Sequence, residues 1–290
     1  AQNLEGRKPA NATVNIENTV LREILRYAHR NGYIVKMPNI PTYAQNERRQ
    51  DFSTDEWEFI VSELGNEVAE LKARAEEKLV QKHAYKYRLM LKTLVQLIGY
   101  SGVRAGRESN QNLRWSDIKV VVPNGSKKSR FPISPIKNRE YSASQVAHLE
   151  IQVRFPKFRT PPRNAIALPW LESALRAWRA ETDYPEETDY VFAHQKEGMN
   201  GEPGAPVQAL KKQFKEFLKR HNLLLDINGR NRTLTSARHF FATQRLLHSE
   251  VGVYLLADSM GTSVRMIEKH YGHVAPSKFA EKLADVSAFD

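Results

Sequence analysis

Leu21, Ile24, Leu25 and Ala28 recur at the spacing of one helical face, and Asn31-Gly32 supplies the residues that end it. The polar residues 1–13 ahead of this helix are expected to fray. Proline and polar residues from 41 to 52, PTYAQNERRQDF, read as a linker. Ser53 and Glu56 then make a capping box before the stripe Trp57, Ile60, Val61 and Leu64. Two more helical segments are predicted over 66–80 and 82–100, with Gly99 and Gly102 closing the second. After that the period shortens. Residues 119–122 form a short apolar strand, Leu149, Ile151 and Val153 alternate with polar positions, and Ala165 to Leu168 supply the partner strand. Proline and serine between 123 and 146 predict a long loop.

Helical periodicity resumes at Pro169, with Trp170, Leu171, Ala174, Leu175 and Trp178 on one face and both tryptophans expected in the core. A glycine-proline loop at 195–206 precedes the stripe Leu210, Phe214, Phe217 and Leu218. Of the last helical patterns, one contains Arg238-His239 and the next closes on His270-Tyr271, with Val264 and Ile267 seven and four residues before the tyrosine. A final short helix is expected after Ser277, with Phe279, Ala280, Leu283 and Val286 on its apolar face. Helices around one small antiparallel sheet make the fold mainly α, of the α+β kind.

Charge narrows the function. The chain has 290 residues, long enough for one or two domains, and carries 44 Lys and Arg against 33 Asp and Glu, a net +11. That excess suits a polyanion partner. Much of it falls between 126 and 163, where Lys127, Lys128, Arg130, Lys137, Arg139, Arg154, Lys157, Arg159 and Arg163 face only Glu140 and Glu150. No cysteine is present, which excludes disulfides and thiolate chemistry. No apolar run of membrane-spanning length, signal-peptide layout or metal-binding motif is apparent, so a cytoplasmic protein without metal or cofactor is expected.

Four pieces occur in order: Gly102-Val103-Arg104 followed by Asn112-Leu113-Arg114-Trp115-Ser116-Asp117-Ile118; the basic turn RFPKFRTPPR between two strands; Arg238-His239; and His270-Tyr271 with His273. In this order they resemble the tyrosine recombinases, the phage-integrase family. The resemblance implies the fold of DNA breaking and rejoining enzymes, with a catalytic domain over 48–290. Residues 1–47 would be the end of a helical core-binding domain plus linker. It further implies that Arg104 and Arg238 grip the scissile phosphate, that Tyr271 attacks it to give a 3′-phosphotyrosyl bond, and that Lys157 protonates the departing oxygen, with Lys137 in reserve. Thr235, His239, Thr262, His270 and His273 would support the pocket, and Arg107, Lys127, Lys128, Arg130, Arg154, Arg159 and Arg163 would contact DNA. The implied partners are a double-stranded attachment site, three further copies in a tetramer on DNA, and accessory DNA-bending or directionality proteins. In bacteria the DNA-bound form would associate with the nucleoid, and the tail after Tyr271 would dock on its own domain or on a neighbouring protomer.

Three positions depart from the family pattern. Arg107 stands where a glutamate is usual, and the spacing to Trp115 is slightly long. Thr235 and Thr262 stand where imidazoles or a tryptophan are usual, and a hydroxyl donates to phosphate without exchanging protons near neutral pH. Plainer readings accompany each residue: Arg104 capping a helix C-terminus, Lys157 touching a backbone phosphate, Tyr271 half-buried by its own helix. For the whole chain the alternatives are a catalytically inactive DNA-binding module of the same fold and a nicking-closing enzyme like the type IB topoisomerases.

Overall fold

The structure is a computed structural model that describes residues 9, 11–44, 51–76, 79–121, 129–130, 148–155, 162–196, 201–208, 210–249 and 251–271. It divides into two compact units, Ala1–Arg48 and Arg49–Asp290. In the first, helix α1 (Asn11–Arg30) ends at Asn31-Gly32, and Gly32 takes the left-handed conformation (φ +73°). Side chains at helical spacing along α1 hold the extended segment 40–44. Asn11 donates to the Ala44 carbonyl (2.7 Å), Asn15 both donates to the Tyr43 carbonyl (2.8 Å) and accepts from its N–H (2.9 Å), and Arg22 donates to the Ile40 carbonyl (3.0 Å). The expected apolar stripe is not what this unit buries, because Leu21 and Ile24 are exposed.

The second unit is built around α3 (Leu79–Ser101). Its Leu89, Met90, Leu91, Leu94, Val95, Leu97 and Ile98 are all buried, the mark of a helix covered on every side. Helices α2 (Thr54–Ala75), α4 (Leu171–Glu181) and α6 (Leu234–His248) pack on it. The capping box forms as predicted, with the Glu56 N–H on Ser53 Oγ (3.1 Å) and the Ser53 N–H on Glu56 Oε2 (2.9 Å). Helix α2 runs on through Gly65-Asn66, so the separate helix predicted from residue 66 is its continuation. A mid-helix glycine costs about 1 kcal/mol, a penalty that the α2–α3 packing outweighs. At Gly99 a Cβ would lie 2.1 Å from the Trp57 ring, which needs glycine there to stack in the core.

The sheet is antiparallel, in the order β2 (Ser129–Arg130), β1 (Ile118–Val121), β3 (His148–Val153), β4 (Arg163–Ala167). Leu149 pairs with Ala167 and Ile151 with Ala165, so the partner strand is the expected one. Strand β2 falls inside the stretch expected to be loop throughout; two residues are too short for a periodic signal. On α4, Trp178 is fully buried while Trp170 is 66% exposed, correcting the expectation that both are core. Helix α5 (Leu210–Arg220) buries Leu210, Phe214, Phe217 and Leu218. Helices α7 (Val253–Met260) and α8 (Val264–Tyr271) share a smaller core with α6, formed by Phe241, Ala242, Leu256, Ala257, Met260 and Ile267.

Candidate active site

The site is assembled at the C-terminal end of α7. A helix leaves its last carbonyls without internal partners, and they carry the negative end of the helix dipole. Gly261 turns left-handed (φ +63°) and closes a Schellman motif, its N–H on the Asp258 carbonyl (2.9 Å) and the Thr262 N–H on that of Ala257 (2.8 Å). The carbonyls of Ser259, Met260 and Gly261 take arginines from three other elements. Arg163 of β4 donates from Nε to Ser259 (3.1 Å) and from Nη2 to Met260 (3.0 Å), Arg238 of α6 from Nη2 to Met260 (2.9 Å), and Arg104 from Nη2 to Gly261 (2.6 Å).

Local structure aims two of these arginines. At the end of α3, Gly102 adopts φ +67° and returns its N–H to the Ile98 carbonyl (2.9 Å), which turns the chain so that Arg104 leaves the helix axis. The Gly102 carbonyl accepts from Arg238 Nη1. Thr233 caps α6 with Ser236, fixing Arg238 in the second turn, 8% exposed. Glu108, with its side chain fully buried, lies between two of the guanidiniums. It accepts from Arg104 Nη1 (2.5 Å), the Arg104 N–H (3.1 Å) and Arg163 Nη2 (2.9 Å). Burial pushes the Glu108 carboxyl up, but the hydrogen bond and charge of Arg163, with those of Arg104, outweigh it and hold it below the usual carboxylate range.

Three guanidiniums against one carboxylate and one helix terminus leave the cluster positive. Of the five N–H donors of Arg104, Glu108 and Gly261 take two, and its side chain is 20% exposed. Arg104 thus keeps donors that Glu108 and Gly261 do not take beside the turn that leads into the next element, α8, which ends on Tyr271. A cleft of about 600 Å³ lined by Phe241, Leu255, Leu256, Ile166 and Arg245 contains none of the predicted site residues.

No protein-family model matches the sequence, and no curated protein matches it. Solved structures do. The chain is similar to the XerH site-specific recombinase in a post-cleavage complex with palindromic difH substrate, at TM-score 0.59 and 17% identity, covering 96% of this chain and 67% of that one. It is similar to the Tn1549 transposon integrase in complex with transposon right-end DNA, at TM-score 0.56 and 14% identity, over 95% and 79% of the two chains. A lambda integrase dimer bound to a COC′ core site matches at TM-score 0.53 and 14% identity, over 90% and 73%. The chain has the tyrosine-recombinase fold.

Within that fold, Arg104 and Arg238 meet at the Met260–Gly261 carbonyls although they are far apart in sequence. The carboxylate paired with Arg104 is Glu108, one residue beyond the position where the tyrosine recombinases usually carry it, while Arg107 is exposed. Sequence reasoning passed over Glu108, although the Arg104–Glu108 spacing of four was a usable signal. Arg163, expected on DNA, is instead turned inward onto Glu108 and α7, with its side chain 11% exposed. Arg154 commits Nη2 to Asp117 (2.8 Å). Thr235 is exposed in the first turn of α6, and His239 and Thr262 are half-buried. Lys127, Lys128, Lys137, Lys157, Arg159, His273 and the tail lie outside the described residues, as do the side chains of Arg130, His270 and Tyr271.

Proposed function

We propose that this protein is a site-specific DNA recombinase of the integrase kind, which cuts and rejoins DNA through a 3′-phosphotyrosyl intermediate. The observation that carries this reading is the convergence of Arg104 and Arg238 on adjacent carbonyls, 261 and 260, in the turn that begins the helix ending at Tyr271. Phosphoryl transfer needs positioning and charge stabilisation, and planar guanidinium forks match the non-bridging oxygens of a phosphodiester. The DNA complexes of the XerH, Tn1549 and lambda proteins and the basic balance of the chain support a duplex DNA partner.

In the proposed reaction Arg104 and Arg238 hold the two non-bridging oxygens while the Tyr271 oxygen attacks phosphorus. The bond from phosphorus to the 5′ oxygen breaks as the phosphotyrosyl bond forms. Lys157 delivers a proton to the leaving oxygen, and the phenol proton passes to one of His239, His270 or His273. Attack by a partner strand's 5′ hydroxyl reverses the steps and releases the tyrosine. Residues 1–47 belong to a second, DNA-clamping domain, and recombination takes place in a tetramer.

A second reading, a DNA-binding module without catalysis, is favoured by hydroxyls at 235 and 262, the former exposed and the latter half-buried, where imidazoles or a tryptophan are usual. Incubation with nicked suicide duplex separates the two. We expect a covalent complex with the wild type and none with Tyr271→Phe at unchanged DNA affinity. Binding without any adduct in the wild type would establish the inactive module, and relaxation of plasmid without strand exchange would establish a topoisomerase.

A further inference from the structure

We infer that Arg163 is a positioning residue that fixes Arg104 and the α7–α8 turn as one unit, acting through Glu108 and the carbonyls of Ser259 and Met260. The inference rests on the recombinase reading for its catalytic consequence. Its structural part stands on the contacts alone.

A single guanidinium makes three bonds to two separate parts of the site: Nη2 reaches Glu108 Oε2 (2.9 Å) and the Met260 carbonyl (3.0 Å), and Nε reaches the Ser259 carbonyl (3.1 Å). Glu108 in turn holds Arg104 by both side chain and backbone. The Arg163 plane also lies against Gly261, where a Cβ would sit 2.4 Å from its Cζ, so turn and arginine fit only with glycine between them. Arg163 therefore ties strand β4, the loop after α3 and the end of α7 together. Stability alone is a poor reason for this choice. Nη1 is buried without a hydrogen-bond partner among the described residues, and an apolar side chain would avoid that desolvation. What an apolar residue cannot do is address a carboxylate and two carbonyls in one plane, and a lysine ammonium, a point charge, cannot do so either.

The test compares wild type, Arg163→Lys, Arg163→Met, Glu108→Gln and the Arg163→Lys/Glu108→Gln double variant. Single-turnover adduct formation is followed at saturating nicked duplex, well below melting, and amide hydrogen exchange is followed without DNA. Arg163→Lys keeps the charge, so DNA affinity should stay within about twofold. Its adduct rate should fall on the order of a hundredfold, as for a misplaced catalytic group. Exchange should quicken over 104–108 and 259–267 and stay unchanged in the core of α3. Arg163→Met should be at least as slow, and the double variant no slower than Glu108→Gln, because both substitutions break the same linkage. Cleavage by Arg163→Lys or Arg163→Met within about threefold of wild type, or rate losses that multiply in the double variant, would overturn the inference. If the wild type forms no adduct, the functional reading fails and exchange decides for Arg163: faster exchange in both segments upholds the linkage, unchanged exchange refutes it.

Discussion

Glu108→Gln is the substitution for which the structure gives the sharpest energetic expectation. The carboxylate is fully buried and shared by Arg104 at 2.5 Å and Arg163 at 2.9 Å. Glutamine keeps the shape but removes the charge and turns an amide N–H₂ toward a guanidinium, leaving two half-buried cations without their counter-ion. Breaking a buried pair by removing one partner costs about 3–5 kcal/mol. The isosteric change belongs at the low end, about 3 kcal/mol, because one acceptor oxygen remains. For a unit of this size each kcal/mol lowers the melting midpoint by about 2–4 °C, so a fall on the order of 10 °C is expected at neutral pH.

The pH dependence distinguishes this account from a packing defect. The Glu108 pKa is depressed in the folded protein, so its contribution is complete above the unfolded-state pKa and is lost as pH falls through the folded value. The gap between wild type and Glu108→Gln should therefore be full at pH 7 and close as the pH drops below the ordinary carboxylate range. Thermal melts of both proteins across that range measure it. A gap that is constant with pH, or absent at pH 7, would refute the claim that Glu108 acts as the buried counter-ion.

Gly261→Ala should cost more than Gly229→Ala, although both glycines are left-handed (φ +63° and +71°). A Cβ at 229 meets nothing within 4 Å and only the backbone penalty of about 1–2 kcal/mol applies, whereas at 261 it strikes the Arg163 guanidinium; equal melting shifts would contradict this. Arg104→Lys and Arg238→Lys should each lose about 3 kcal/mol of transition-state stabilisation, seen as adduct formation slower by two to three orders of magnitude, and near-normal cleavage by Arg104→Lys would transfer its role to Arg107. Lys157→Ala should be defective on ordinary DNA and recover on a duplex whose leaving 5′ oxygen is sulfur, which needs no protonation; an equal defect on both substrates would make Lys157 a phosphate contact.

Features that depend on a few consecutive residues were legible in the sequence. The Ser53–Glu56 box, the alternation in β3, the glycine after α3 and the helix ending at Tyr271 each follow from local geometry, and each is present. The misreadings have physical causes. Gly65-Asn66 has the composition of a helix stop, but tertiary packing carried α2 through it. Trp170 shares a helical face with Leu171 and Trp178 yet sits in the turn before α4, where it meets Tyr100 edge-on and remains open to solvent. Arg163 looked like one more cation in a basic stretch; its partners Ser259 and Met260 are 96 and 97 residues away, and no periodicity reports a contact at that range. The site itself is long-range in the same sense, since Arg104 and Gly261 are 157 residues apart. Only the order of the motifs placed Arg104 and Arg238 in one site.

The arrangement also answers why backbone carbonyls should occupy arginines that are proposed to bind phosphate. A guanidinium held by nothing would lose rotational freedom on meeting DNA, and that loss would be subtracted from the interaction. Here Arg104 is already held at two of its five donors by Glu108 and Gly261, and the fork's remaining donors keep a fixed direction without reorganising. The carbonyls that hold the arginines belong to the turn that starts α8 three residues later. A shift of that turn would move the two arginines of the proposed clamp and the start of α8 together, so their spacing would be maintained by one junction. In-line attack requires that spacing to be constant to a fraction of an ångström. Three arginines on one helix end supply that constancy more directly than three independently packed side chains would, because the acceptors are the carbonyls of three consecutive residues in a single backbone turn.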